Sequence, residues 1–200
     1  MNKIFYYVFA VVLVLAIAVV FVFVLSKKEK PSNQAVENTV VLETTKGVIE
    51  IELDLNHAPL TSANFISYVN SGFYDGLVFH RVIKGFMVQG GGFDANGNQR
   101  QAMAPIPLES NNGLKNTVGA IAMARTSNPD SATSQFFINT VDNEFLDYSQ
   151  GNPGYAVFGK VIEGMDVVDR IATVQTMRLP TGMGDVPVQP IVIQKVEQMR

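Results

Sequence analysis

Apolar and polar positions divide the sequence into two parts. Residues 4–25 form an unbroken run of 22 residues without a charged side chain. As a helix this run would be about 33 Å long, enough to cross a hydrocarbon core of about 30 Å. From residue 39 onward, short apolar runs alternate with Gly, Pro, Asn and Asp, as in an ordinary folded domain. The pattern therefore predicts one transmembrane helix followed by a domain built from short elements.

The amino-terminal run, residues 1–25, is interpreted as a membrane anchor. A cleavable signal peptide has an apolar stretch of about 7–15 residues and a small-residue cleavage site. This run is longer and ends Val24-Leu25-Ser26, so we favour an uncleaved anchor over a long signal peptide. Residues 26–38, SKKEKPSNQAVEN, predict a polar linker. A flexible linker of 13 residues spans about 20 Å.

The charges that flank the run leave its orientation open. Lys3 precedes it, whereas Lys27, Lys28 and Lys30 follow it, so the positive-inside rule mildly favours a cytoplasmic domain. Amino-terminal signal-anchors, however, usually deliver the following chain to the far side of the membrane. We therefore expect a single-pass membrane protein whose main domain, residues 39–200, is extracytoplasmic.

The main domain begins with a predicted hairpin and a helix. Residues 40–45 and 48–53 are strand-like and are separated by a Lys-Gly turn, and the second strand alternates apolar and acidic positions. Residues 59–70 predict a helix that Thr61 or Ser62 caps, with Gly72 just beyond its end.

Further short runs predict a mainly β fold. A second helix is expected near residues 165–171, and turn residues separate six more strands: 77–83, 86–89, 117–124, 135–139, 155–161 and 191–197. Many short strands with two helices favour a closed or nearly closed antiparallel barrel, which also leaves few exposed sheet edges.

Charge and composition narrow the function. From residue 31 onward the chain has 17 acidic and 11 basic residues, and no basic stripe is visible, so we expect no nucleic-acid partner. The sequence has no cysteine, which excludes disulfides, thiolate catalysis and Cys-type zinc sites. It also lacks GxSxG, P-loop and GxGxxG motifs. His57 and His80 are far apart without acids at ligand spacing, so no metal or other cofactor is expected.

The remaining candidate for chemistry is the run FHRVIKGFMVQGG at residues 79–91. Arg81 stands between apolar strand residues, and Met87 and Gln89 share one face of a strand. From spacing alone the favoured interpretation is structural, with Arg81 paired to a carboxylate and the other residues in the core. His80 lies in an apolar strand, and we interpret it as a hydrogen-bonded structural residue and not as a base.

Three ordered blocks between residues 40 and 197 resemble motifs of the cyclophilins, the peptidyl-prolyl cis–trans isomerases. The first is FHRVIKGFMVQGG, and the second runs from Met-Ala-Arg at 123–125 to SQFFIN at 134–139. The third is EFLD at 144–147, followed by YAVFGKVIEGM at 155–165. The resemblance implies an eight-stranded antiparallel barrel capped by two helices. It does not cover the membrane run or the linker.

The resemblance also implies roles for particular residues. Arg81 matches the catalytic arginine, and Gln89 and Gln135 match the polar groups that hold the substrate backbone. Ala124 and Arg125 match the main chain along which the peptide lies. The apolar pocket for the proline ring is matched by Phe86, Met87, Phe137 and Leu146.

Two further candidate site residues depart from the eukaryotic pattern. Phe145 stands where many members have Trp, and Tyr155 where many have His, as in the bacterial branch. Because phenylalanine lacks the indole N–H that the family uses to bind cyclosporin, we expect weak cyclosporin inhibition with isomerase activity retained.

The expected function is thus a membrane-tethered, monomeric peptidyl-prolyl isomerase that acts on proline-containing, exported polypeptides during folding. Two alternatives remain at this stage. One is a binding or holdase module for proline-containing peptides that keeps the fold without catalysis. The other is a barrel that carries a small apolar ligand.

Overall fold

The computed structural model describes residues 38–199. The predicted anchor and most of the linker lie outside this part of the chain. Within it, no helix is long and apolar enough to cross a membrane. Strand β1 (Thr39–Thr44) pairs antiparallel with β2 (Gly47–Leu53), as the Lys-Gly turn predicts. In β2 buried residues alternate with partly exposed ones, so one face of the hairpin lies on the core.

Eight strands form one antiparallel sheet. In addition to β1 and β2 these are β3 (Leu77–Ile83), β4 (Met87–Asp94), β5 (Ala120–Met123), β6 (Phe136–Asn139), β7 (Val157–Glu163) and β10 (Ile193–Gln198). Their spatial order is β10-β1-β2-β7-β5-β6-β4-β3. A bridge between Val78 in β3 and Val192, which directly precedes β10, brings the two edges of the sheet together. The predicted barrel is confirmed in a nearly closed form.

Aromatic side chains fill the interior of the barrel. Phe65 is completely buried, and its ring centroid is 5.5 Å from that of Phe136 and 5.2 Å from that of Phe158. The edge-to-face contact with Phe136 is a favoured arrangement of aromatic rings. Helix α1 (Pro59–Asn70) supplies Phe65 and so covers the barrel on this side.

The predicted cap of α1 is wrong. Thr61 and Ser62 are buried inside the helix, and Ala58 occupies the cap position without a side-chain hydrogen bond. Instead Glu109, 48 residues beyond Thr61, accepts hydrogen bonds from the backbone N–H groups of Leu60 and Thr61 at 3.0 and 2.6 Å. A carboxylate at this end also offsets the positive end of the helix dipole. Because the cap comes from a distant loop, the local sequence could not reveal it.

The region after the second helix contains structure that the sequence patterns did not predict. Helix α2 (Met165–Ala172) lies close to its expected position. Two short strands follow, β8 (Thr176–Met177) and β9 (Val186–Pro187), which pair with each other and enclose a loop at residues 178–185. Each strand has only two residues, which is too short for an alternating pattern. This hairpin is tied to β3 by a hydrogen bond from Val82 N–H to Asp185 O at 2.8 Å.

Candidate active site

Strand register brings the central candidate residues into one row. Arg81 on β3 lies opposite Gln89 on β4, and Gln89 lies opposite Phe137 on β6. Phe137 in turn faces Ala122 on β5. Cross-strand partners share one face of a sheet, so the cation, the amide and the aromatic ring form a continuous band.

A small apolar cluster lies beside this row, separate from the barrel core. Met87, Phe137 and Leu146 belong to it and are buried. They contribute to a cavity of about 170 Å³, and an apolar cavity of about 150 Å³ is enough to hold benzene. A proline ring is therefore within its capacity. The cavity is lined by Arg81, Phe86, Met87, Gln89, Ala124, Arg125, Phe137, Leu146 and Tyr155.

All nine of these lining residues are candidates from the sequence. The other two candidates, Gln135 and Phe145, lie just outside the lining. Gln135 contacts the cavity through Gln89, whose Nε2 donates to its Oε1 at 2.9 Å. Phe145 stacks on Phe86 with 5.6 Å between ring centroids, and it is 66% exposed. An exposed ring beside an apolar cavity extends the contact surface available to a peptide.

A chain of polar groups runs along the rim of the cavity. Arg81 Nη1 donates to Gln89 Oε1 at 3.5 Å, and Gln89 donates to Gln135. The space for Gln135 depends on Gly92, because a Cβ at that position would lie 2.7 Å from the Gln135 amide. The absence of a side chain at Gly92 thus leaves room for the Gln135 amide in this position.

Arg125 has a different environment from Arg81. Its Nε and Nη2 both donate to the carbonyl of Gly154, at 2.9 and 2.8 Å. Its guanidinium carbon lies 4.5 Å from the centroid of the Tyr155 ring. The Tyr155 ring in turn meets Phe137 edge to face. Arg125 therefore fixes one wall of the cavity, whereas Arg81 is held more loosely at its rim.

A buried asparagine network that the sequence patterns did not predict holds another wall. Asn143 Nδ2 donates to Phe86 O at 3.0 Å and to Asn139 Oδ1 at 2.7 Å. Asn139 donates to Asn116, which donates to Leu146 O. The network thus joins the main chain of two lining residues. Asparagines in loops and at strand ends look like ordinary turn residues, so no sequence signal marked them.

His80 lies outside the cavity. It is 6% exposed, and its ring packs 4.8 Å from that of Phe93. Burial lowers its pKa to about 4, and hydrogen bonds with the Val78 backbone and the Gln135 side chain only partly oppose this shift. The imidazole is therefore neutral near pH 7 and does not face the cavity as a general base.

Two other features bear on the choice of site. A larger cavity of about 460 Å³ is lined by residues of β2 and β7. The charged groups around it are already paired, for example Lys160 with Glu52 at 3.1 Å. Among residues 38–199 no group of three or more His, Asp or Glu side chains could hold a metal ion. The smaller cavity is lined by two arginines, one amide side chain and an apolar wall.

Comparisons with known proteins show to which family the chain belongs. Residues 39–198 match the model of the cyclophilin type peptidyl-prolyl cis-trans isomerase family. A peptidyl-prolyl cis-trans isomerase of Acinetobacter baylyi is 57% identical over 83% of this chain and 88% of its own. Peptidyl-prolyl cis-trans isomerase B of Escherichia coli is 51% identical over 78% of this chain and 97% of its own.

Solved structures agree with the sequence comparison. A Hirschia baltica cyclophilin has a TM-score of 0.65 and 26% identity, covering 81% of this chain and 74% of its own. A Cryptosporidium parvum cyclophilin type isomerase, solved in the presence of the dipeptide Ala-Pro, has a TM-score of 0.65 and 27% identity, covering 81% and 99%. The chain belongs to the cyclophilins and is a peptidyl-prolyl cis–trans isomerase, EC 5.2.1.8.

Proposed function

We propose that Arg81 accelerates prolyl isomerisation by stabilising the twisted form of the X-Pro amide. Rotation about this bond has a barrier of about 18–20 kcal/mol, because it breaks amide resonance. In the twisted state the proline nitrogen becomes pyramidal and regains a lone pair. A guanidinium N–H directed at that lone pair binds the twisted state better than the planar one, which lowers the barrier.

Arginine is well suited to this role. Its guanidinium is a cation that presents several N–H donors in a fixed planar arrangement. No bond is made or broken, so the reaction needs neither a nucleophile nor a general base. The neutral, buried state of His80 is consistent with such a mechanism.

In this mechanism the apolar wall and the amides hold the substrate in place while Arg81 acts on the proline nitrogen. Met87, Phe137 and Leu146 would hold the proline ring still while the acyl side of the bond rotates. Gln89 Nε2 has two N–H groups, of which one goes to Gln135, so the other can donate to a substrate carbonyl. A fixed ring and a held carbonyl restrict the bound peptide to geometries close to the twisted state.

The observation that carries this proposal is the position of Arg81 at the rim of a cavity that has an apolar wall and is large enough for proline. Its test is the NMR exchange rate of an Ala-Pro peptide with wild-type and Arg81→Ala protein. We expect kcat to fall while KM changes by less than about threefold, because the contact forms mainly in the transition state. A rise in KM with unchanged kcat would contradict the proposal.

We also propose that the enzyme works at a membrane surface on the extracytoplasmic side. The apolar run of residues 4–25 supports an anchor, and the linker of residues 26–38, with a root-mean-square span of about 20 Å, would tether the domain to the bilayer. Exported chains that fold there would be its substrates, since uncatalysed isomerisation can limit folding. Protease accessibility in spheroplasts, with protection in intact cells, is the expected result. Protection in both would contradict this orientation.

A further inference from the structure

Asp185 is the one acidic residue that the described part of the chain places within ion-pair distance of Arg81. Its Oδ2 lies 3.9 Å from Nε of Arg81. The two side chains are 43% and 48% exposed, so packing alone does not fix the guanidinium. Within residues 38–199 the guanidinium makes one hydrogen bond, to Gln89 at 3.5 Å. An arginine that acts in a transition state needs more restraint, because a misplacement of about 1 Å can cost two orders of magnitude in rate.

The main chain at Asp185 is held in an unusual conformation. Its φ of 59° is the single positive value among non-glycine residues of the described chain. Aspartate tolerates this region better than most residues, but such conformations persist only where the surroundings impose them. Here Asp185 O accepts a hydrogen bond from Val82 N–H at 2.8 Å, directly beside Arg81 in β3.

The loop that carries Asp185 is closed by its own contacts. Leu179 N–H donates to Met183 O at 2.8 Å, and Arg178 Nη1 donates to Gly182 O at 3.2 Å. Strands β8 and β9 pair at its base. The loop therefore presents the carboxylate to Arg81, and none of the loop residues 178–185 lines the cavity.

We propose that Asp185 is a positioning residue that holds the Arg81 guanidinium for catalysis. The carboxylate restrains the Nε side of the group, and Gln89 restrains Nη1. Within residues 38–199 Nη2 has no hydrogen-bond partner, so it is available to the substrate. The inference rests on the proposed role of Arg81, since Asp185 acts through it and does not contact the peptide.

The test measures kcat and KM by NMR exchange on an Ala-Pro peptide with blocked, uncharged ends. Asp185→Asn removes the charge and keeps the shape, and Asp185→Gly accepts the same φ without a side chain. We expect kcat to fall about threefold to tenfold in both variants, with KM changed by less than about twofold. The matched control is Asp166→Asn, which removes a surface carboxylate 2.6 Å from Arg170 and should leave both constants unchanged. Unchanged kcat in both Asp185 variants would overturn the proposal.

A second measurement separates positioning from a structural role. In an Arg81→Ala background, Asp185→Asn should cause no further loss, because the group on which it acts is gone. An equal fold-loss in both backgrounds would overturn the proposal. Added salt should lower kcat of the wild type but not of Asp185→Asn, since an exposed pair is screened. If Arg81→Ala keeps full activity, the proposed role of Arg81 fails together with that of Asp185. If Arg81→Ala loses activity but the Asp185 variants do not, only the positioning role of Asp185 is overturned.

Discussion

Gln89 faces Arg81 across two paired strands and turns the oxygen of its amide toward the guanidinium, 3.5 Å from Nη1. The nitrogen of the same amide donates to Gln135. Both contacts therefore require the same orientation of the Gln89 amide. Gln89 therefore restrains the cation, and one N–H of its amide is left over to donate to a substrate in the proposed mechanism.

Replacement of Gln89 by alanine should lower kcat/KM by about tenfold, because it removes one restraint on Arg81 and one donor to the substrate. The rate of exchange of an Ala-Pro peptide measures this loss. Gln150, which is exposed in a turn, offers the matched control, and Gln150→Ala should leave the rate unchanged. Equal rates for Gln89→Ala and the control would remove Gln89 from the mechanism.

Asn143→Ala should destabilise the protein by about 2 kcal/mol. The change leaves Phe86 O and Asn139 Oδ1 without the donor that now serves both, and buried acceptors without partners are costly. Urea unfolding measures the loss. The exposed Asn56 is the comparison residue, and Asn56→Ala should change stability by less than about 0.5 kcal/mol. A similarly small effect for Asn143→Ala would mean that the network does not support the cavity.

Stability should fall with acid in a way that depends on His80. Burial lowers its folded-state pKa to about 4, whereas the unfolded value is about 6.5. The unfolded chain therefore binds a proton first, and stability is fully present above about pH 6.5 and decreases as the pH falls toward 4. Between pH 7 and 4 the wild type should lose about 3 kcal/mol more than His80→Gln. Parallel stability curves would contradict the burial of a neutral imidazole.

Phe145→Trp should strengthen cyclosporin inhibition by about tenfold, because an indole N–H restores one hydrogen bond. Phe145 is exposed and stacks flat on Phe86, so a larger ring can be accepted there with isomerase activity retained. Inhibition constants of the two proteins measure the change. Nanomolar inhibition of the wild type would contradict the expectation that Phe145 weakens binding.

Local patterns were sufficient for much of the fold. The hairpin of β1 and β2 has a clear turn and an alternating strand, and α1 has Gly72 at its end with φ of 66°. The capping of α1 by Glu109 could not be predicted, because the partner lies far along the chain. Hairpin β8–β9 was missed because two-residue strands have no measurable period.

Some features of the candidate site could likewise be predicted from the sequence, and others could not. The motif resemblance identified the residues that line the cavity, because these residues stand at the positions of the family motifs in the sequence. Spacing alone favoured a carboxylate partner for Arg81 with the run in the core; the structure pairs Arg81 with Asp185 and also places it at the cavity rim. What sequence could not supply was the identity of that carboxylate, because a tertiary contact over about a hundred residues leaves no local signal.

The central claim is that Arg81 lowers the barrier to rotation, and one comparison tests it most directly. The kcat/KM of wild-type, Arg81→Ala and Arg170→Ala proteins is measured on the same Ala-Pro peptide, with Arg170 as an exposed arginine on α2. Arg81→Ala should lose about 10²-fold or more, roughly 3 kcal/mol of transition-state stabilisation, while Arg170→Ala stays at the wild-type rate. A loss of less than about threefold in Arg81→Ala would contradict the account.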